Sequence, residues 1–214
     1  MKLRTLDKLF DSLAREITWR KRELVNFLSI VNDNTSPRYI KNALYRSGVT
    51  LLYAHWEGFV KQACTNYLCF VCMQRVKNKD LSVNLQSLIF HETLKKYGKT
   101  KKASLYHDAI NFLSIKGEHQ SIIPYKGIIN TQSNLNSEVF KEIAWLTQMD
   151  YSLFQTSEHF IDSFLLAKRN HIAHGEACPI DKSSYLMTHD KVIELLEMVK
   201  TQLENNALSG IYKN

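Results

Sequence analysis

The chain has 214 residues, of which 44% are hydrophobic and 23% are charged, as in an ordinary globular domain. It contains 7 glycines and 3 prolines, too few for the turns of a many-stranded sheet, so an all-α fold is expected. Lysine and arginine (28) outnumber aspartate and glutamate (21), and the resulting net charge of +7 favours a polyanionic partner such as RNA or DNA.

The N-terminal residues MKLRTLDKLF lack the apolar core of a signal peptide, and no later apolar run reaches about 18 residues. We therefore expect a cytoplasmic protein without membrane contact. Its four cysteines, Cys64, Cys69, Cys72 and Cys178, are then expected to be reduced.

Helical spacing of apolar residues predicts two long helices in the first third of the chain, at residues 3–31 and 37–75. Ser36 is expected to cap the second helix, with Pro37 in its first turn. The middle of this helix is apolar on nearly every side, which is typical of a helix surrounded by others. Gly48 and Gly58 within it predict close contacts with neighbouring helices, because each costs about 1 kcal/mol relative to alanine.

Shorter helices are predicted in the remainder of the chain, at residues 85–97, 104–113, 137–148 and 157–173. Gly175 is expected to end the last of these, and Thr188 to cap a final helix. Residues 116–136 are expected to form a long surface loop. Because neither a repeat nor a boundary is visible, residues 1–214 are expected to form a single domain, a bundle of about six to eight helices.

Side chains that could act in catalysis are concentrated at the end of the helix predicted at 157–173. The segment there reads Lys168-Arg169-Asn170-His171-Ile172-Ala173-His174-Gly175-Glu176. A guanidinium matches phosphate oxygens, and an imidazole transfers protons near neutral pH. Asn170 and His174 share a helix face, whereas Arg169 and His174 diverge by about 140° on an ideal helix. One chain alone is therefore not expected to aim both groups easily at one phosphate.

Other interpretations of these side chains stay open. Arginine and histidine at a helix C-terminus also stabilise the helix through its macrodipole. His171 and His174 could bind a metal ion, although the sequence nominates no further ligands. Cys69 and Cys72 could bind zinc, and Cys178 with His174 could form a thiol nucleophile and its base.

Two segments resemble a known family. Arg169-Asn170-x-x-x-His174, followed by Gly175, resembles the Arg-x4-His signature of the HEPN superfamily of ribonucleases. The segment Leu51-Leu52-Tyr53-Ala54-His55-Trp56-Glu57-Gly58-Phe59-Val60-Lys61 resembles the central helix of the MAE-type HEPN-like nucleases. Both lie in the order and on the helices that this family would have.

The resemblance implies a helical homodimer in which the signature helices of two subunits face each other and share one RNA phosphate. The implied reaction is RNA cleavage that needs no metal or other cofactor and leaves a 2′,3′-cyclic phosphate. His174 would act as the base for the ribose 2′-hydroxyl or as the acid for the leaving oxygen. Arg169 would stabilise the charge on the phosphorane, and Asn170 would orient the phosphate or the imidazole.

Several further residues are expected to support such a site. Glu57 lies in the buried helix and must be paired, either with Arg169 or His174 or with an unrelated basic group. His171 and Glu176 flank the signature. A run of lysines forms either a solvated loop or an arm that grips RNA, and Lys168 adds to the RNA-binding set. The lysines of this run are Lys95, Lys96, Lys99, Lys101 and Lys102.

These observations lead to three hypotheses about function. The first is an endoribonuclease, a hydrolase of cellular or invading RNA that serves as a toxin or phage-defence effector and is restrained by an antitoxin or other regulatory protein. The second is a non-catalytic helical dimer that binds RNA or protein. The third is a metal-dependent hydrolase that uses His171 and His174.

Overall fold

The computed structural model describes residues 3–33, 35, 37–95 and 116–214, and the regular elements of these residues are helices. Two isolated β-bridges, Lys77 with Gln120 and Leu81 with Lys213, also occur among these residues. The α-helices are α1 (Leu6–Asn32), α2 (Arg38–Met73), α3 (Val83–Lys95), α4 (Ser137–Thr147), α5 (Ala167–Ala173) and α6 (Lys182–Ser209). The prediction of an all-α helical bundle is therefore confirmed.

Helix α2 packs against both α1 and α6, which also contact each other, and against α4 and α5. Its side chains Leu52, Trp56, Phe59 and Val60 are fully buried, as the apolar pattern on nearly every side predicts. Trp56 packs edge-on against Phe140 of α4, with 5.0 Å between the ring centroids. Polar side chains on α2 must therefore find partners within the protein or at one of its few exposed edges.

The caps of the helices explain where they begin. Thr5, Asn136 and Asp181 accept hydrogen bonds from the backbone N–H three residues ahead, at the starts of α1, α4 and α6. The prediction that Thr188 caps the last helix is wrong. Thr188 lies inside α6, where its hydroxyl donates to the carbonyl of Ser184 at 2.7 Å, so the side chain needs no cap position.

Two other helix boundaries differ from the sequence prediction. Pro37 occupies the N-cap position of α2 itself, so the proline lies before the first turn and not within it. The described part of α3 begins at Val83, two residues before the predicted start at Leu85. The helix predicted at residues 104–113 lies outside the described residues.

The segment predicted as one helix at 157–173 contains three kinds of helix. A 3₁₀-helix at Tyr151–Ser157 leads into a π-helix at Phe160–Leu166, which continues as α5. A π-helix has a wider turn than an α-helix, so a 3.6-residue period does not predict which side chains it buries. Ile161 and Leu165 are indeed buried, but Phe160 and Phe164 are partly exposed.

Residues 120–136 contain neither a regular helix nor a strand. Three of their apolar side chains, Ile123, Ile129 and Leu135, are nevertheless buried, so this segment packs against the bundle along part of its length. None of the helices in the described ranges has both the length and the apolar character that crossing a membrane requires.

The two glycines of α2 differ in their surroundings. A Cβ on Gly48 would lie 2.4 Å from Cε2 of Tyr185 and 2.8 Å from Cε1 of Phe27, so the predicted close contact exists here. A Cβ on Gly58 would meet Nη2 of Arg20 at 3.5 Å, an ordinary contact, so the same prediction is wrong for Gly58.

We therefore expect Gly48→Ala and Gly58→Ala to have opposite effects on stability. Tyr185 is fully buried and cannot move aside, so Gly48→Ala should lower the free energy of unfolding by about 1–3 kcal/mol. Gly58→Ala should leave it unchanged or raise it by up to about 1 kcal/mol, because alanine favours the helix. Urea denaturation of both variants measures the difference, and equal effects would contradict the packing described for Gly48.

Candidate active site

Helix α5 ends in a turn that presents His174 at the surface. Gly175 has a φ of 77°, a left-handed conformation that glycine adopts without strain. The N–H of Gly175 donates to the carbonyl of Ile172 at 3.1 Å, and the N–H of Glu176 donates to that of His171 at 2.9 Å. This is the Schellman pattern, and it confirms Gly175 as the end of the helix. Its cap residue, His174, is exposed, and α5 has no buried residue.

The guanidinium of Arg169 is held by three parts of the structure. Its carbon lies 4.2 Å from the centre of the Tyr53 ring on α2, a cation–π contact. Nη1 donates to the amide oxygen of Asn170 at 2.7 Å, and Nη2 donates to the carbonyl of Ser133 at 2.8 Å. The arginine side chain is 21% exposed, so it is anchored but still reaches solvent.

Glu57 provides the negative charge beside this guanidinium. Its Oε2 lies 3.7 Å from Nη2 of Arg169, and its side chain is 18% exposed. The hydroxyl of Thr131 donates to Oε1 of the same carboxylate. Of the two interpretations of Glu57, the structure thus shows the one in which it holds Arg169.

A loop at residues 131–135 closes over this pair. The N–H of Leu135 donates to the hydroxyl of Tyr53 at 2.6 Å, while Thr131 and Ser133 contact Glu57 and Arg169. Gln132 and Ser133 have φ values of 54° and 58°, which cost on the order of 1 kcal/mol or more for each non-glycine residue. The contacts on either side hold the loop in this strained form.

Tyr53 stays protonated in this environment. Burial raises the pKa of its hydroxyl to about 12, and the nearby charge of Glu57 acts in the same direction. The neutral hydroxyl can therefore donate to Glu57 while it accepts from the loop. Tyr53 links α2, Glu57 and residues 131–135 into one network around Arg169.

The other predicted site residues lie on the outer side of α5 or beyond it. Nδ1 of His171 contacts the carboxylate of Glu176, and both side chains are exposed. This contact, with a smaller contribution from His174, lowers the pKa of Glu176. Nζ of Lys168 donates to the hydroxyl of Ser184 at 3.1 Å, so Lys168 ties α5 to α6.

Two other sets of side chains were considered as binding residues, the lysine run for RNA and the histidines and cysteines for a metal ion. Lys95 is exposed near the end of α3, 3.7 Å from Glu92. The other lysines of that run, Lys96, Lys99, Lys101 and Lys102, lie outside the described residues. Within the ranges that are described, no three side chains of histidine, cysteine, aspartate or glutamate form a group that could hold a metal ion.

A model of the MAE_28990-like HEPN family matches residues 9–212. The chain belongs to this HEPN family. No curated protein and no solved structure gives a significant match. The matched range includes α2, residues 131–135 and α5, so the network around Arg169 lies within the HEPN domain. Membership associates the chain with nuclease and RNA-related functions in general.

Sequence reasoning missed one cation of this HEPN domain. Arg46 lies on α2, and its Nη2 donates to the backbone carbonyl of Glu176 at 2.9 Å, just beyond the turn that carries His174. Arg46, Thr50, Tyr53 and Glu57 recur at spacings of four, three and four residues, which places them on one face of α2. This polar row within an apolar helix was the signal that could have identified it.

We expect Tyr53→Phe to destabilise the HEPN domain, because it leaves the buried N–H of Leu135 without its acceptor. The free energy of unfolding should fall by about 1–3 kcal/mol. Tyr67→Phe is the matched control, since the buried Tyr67 hydroxyl has no hydrogen-bond partner in the described structure. That control should be neutral or stabilising in urea denaturation. Equal stability of Tyr53→Phe and the wild type would disprove the hydrogen bond.

Proposed function

We propose that this HEPN domain is a metal-independent endoribonuclease with Arg169 and His174 at its centre. The observation that carries the proposal is the anchored guanidinium. Tyr53, Asn170 and Ser133 fix its position, yet N–H groups remain for a phosphate. An exposed imidazole, that of His174, lies at the end of the same short helix.

The proposed reaction uses the ribose 2′-hydroxyl as the nucleophile. His174 takes the 2′-hydroxyl proton, or gives a proton to the departing 5′-oxygen, and water completes the other proton transfer. The 2′-oxygen forms a bond to phosphorus as the bond from phosphorus to the 5′-oxygen breaks, which leaves a 2′,3′-cyclic phosphate and a 5′-hydroxyl. Arg169 stabilises the charge on the phosphorane, and Asn170 keeps the guanidinium in line. His171 and Glu176 support the turn that carries His174.

The test is cleavage of RNA by purified protein in the presence of EDTA. We expect the wild type to cleave, and Arg169→Ala and His174→Ala each to lower the rate by at least about 100-fold. DNA of the same sequence should stay intact because it lacks the 2′-hydroxyl. Mass spectrometry of the products should show the cyclic phosphate.

His159→Ala and Arg22→Ala serve as controls, because both side chains are exposed and lie outside the site. Neither should change the rate more than about twofold. Loss of cleavage in EDTA would instead support a metal-dependent hydrolase that uses His171 and His174.

A second function also has an observation in its favour. Glu57 lies 3.7 Å from Arg169 and offsets part of its charge, as it would in a purely structural pair. A non-catalytic domain that binds RNA or protein would show this arrangement too. It would bind labelled RNA without cleaving it, and Arg169→Ala would then reduce stability more than it reduces RNA binding.

The proposal includes a homodimer whose active site contains groups from both subunits. Every residue of α5 is at least partly exposed in the single chain, although the π-helix before it is partly buried. A second copy that packs on α5 would cover this surface and bring its own signature helix to the same phosphate.

Complementation tests the composite site. A twofold dimer would form two composite sites, each with Arg169 from one subunit and His174 from the other. An equal mixture of inactive Arg169→Ala and His174→Ala subunits should then recover about a quarter of the wild-type activity after subunit exchange, because half of the dimers contain one intact site of the two. A site formed within one chain would recover nothing. Light scattering during size-exclusion chromatography gives the oligomeric state of each sample.

We propose a toxin or phage-defence effector as the biological role, one that acts on RNA in the cytoplasm and is restrained by an antitoxin or similar regulator. The lysine run, from Lys95 to Lys102, would help to hold the RNA. In the same set of variants, expression of the wild type should arrest bacterial growth, whereas Arg169→Ala and His174→Ala should not. Arrest by all three proteins would argue against this role.

A further inference from the structure

A shallow depression of about 400 Å³ lies where the first turns of α2 meet the start of α6. Its lining consists of Arg38, Lys41, Asn42, Tyr45, Asp181 and Lys182. Neither the sequence motif nor the proposed reaction uses these residues. The depression is open to solvent on one side, because Arg38, Asn42 and Lys182 are exposed.

The depression is cationic. Arg38, Lys41 and Lys182 contribute three positive charges, and none of the three forms a salt bridge with any residue that the structure describes, although the charges of Lys41 and Asp33 interact at longer range. The single carboxylate, that of Asp181, is already occupied. Its Oδ1 accepts the N–H of Ser184 and the hydroxyl of Ser183, each at 2.7 Å, as the cap of α6. The balance of charge here suits an anionic ligand.

The depression and the candidate active site are connected by one face of α2. Asn42 and Arg46 are one turn apart, and Arg46 bonds to the carbonyl of Glu176 beside the His174 turn. Tyr53 follows farther along α2 and contacts Arg169. At 1.5 Å per residue, Asn42 and Tyr53 are about 16 Å apart along the helix, a distance that a strand of a few nucleotides can cross.

We propose that this depression binds backbone phosphates of the RNA strand that flank the phosphate between Arg169 and His174. This inference rests on the proposed function, because it states where the RNA strand bound at the active site continues on the protein surface. Arg38 presents a planar fork of donors to one phosphate, and Lys41 and Lys182 present point charges. Arg46 bridges the depression and the His174 turn. Contacts of this kind give affinity without base specificity.

The experiment compares two triple variants that remove equal charge. One replaces the depression cations, Arg38→Gln, Lys41→Gln and Lys182→Gln. The control replaces three exposed cations elsewhere, Arg75→Gln, Lys126→Gln and Lys213→Gln. Both are made in the His174→Ala background. Binding of a fluorescein-labelled single-stranded RNA is measured by anisotropy between about 50 and about 300 mM salt, over which the Debye length falls from about 14 Å to about 6 Å. Circular dichroism confirms that both triples are folded.

We expect the depression triple to weaken binding on the order of tenfold near 0.1 M salt, and the slope of log K against log salt to fall by up to about 2. The control triple should change both quantities much less. Equal losses in the two triples would overturn the proposal, because binding would then follow net charge alone. Absence of RNA binding by the parent His174→Ala protein would overturn it too.

Failure of the nuclease proposal and failure of the phosphate-binding surface give different results. If the wild type cleaves no RNA but the depression triple binds RNA more weakly than the control, the nuclease proposal fails and the phosphate-binding surface stands. If the wild type cleaves RNA and the two triples bind it equally, the surface is wrong and the nuclease proposal stands.

Discussion

The pairing of Glu57 with Arg169 is the interaction on which the arrangement of the site depends. Glu57 lies on α2, a helix buried on most sides, where an unpaired carboxylate would be costly. Two apolar side chains of similar size could join α2 and α5 equally well, because a partly buried ion pair adds little net stability. Stability alone therefore gives no reason for the pair, whose structural effect is to hold the guanidinium of Arg169 in one position against α2.

The long helices were predictable because their signal is local and repeats many times. In α1, apolar residues recur at helical spacing over 27 residues, and the charged residues lie opposite. Gly175 was predictable for a similar reason, since a left-handed cap residue strongly favours glycine. The π-helix at Phe160–Leu166 was not predictable, because it depends on how the segment packs against the bundle.

Thr188 shows why a cap can be assigned to the wrong residue. Threonine is a common cap, but its hydroxyl can also bond to the carbonyl four residues earlier within a helix. Asp181 satisfies the first N–H groups instead, so α6 begins earlier and includes Tyr185 in the core. Aspartate is as suitable a cap as threonine, and a helix that begins at Asp181 buries side chains between the two residues, such as Tyr185.

The site divides into residues that the sequence could name and contacts that it could not. Arg169, Asn170 and Glu57 have unusual side chains in recognisable segments, and the structure brings these three together. Ser133 contributes a backbone carbonyl, which every residue has, so no sequence pattern marks it. Tyr53 stood within the recognised segment, but its hydrogen bond to Leu135 joins residues 82 positions apart and requires the fold.

The five-residue spacing of Arg169 and His174 makes the two side chains point in different directions in the structure. Arg169 faces inward to α2, whereas His174 caps the helix and faces solvent, as their divergence on a helix requires. Glu57 offsets part of the charge of Arg169, so this centre by itself attracts a phosphate weakly. Under the proposed function, attraction of an RNA strand would then come mainly from cations farther from this carboxylate. Arg38, Lys41 and Lys182 form no salt bridge with a described residue, and Asn42 beside them lies on the same face of α2 as Tyr53, which contacts Arg169.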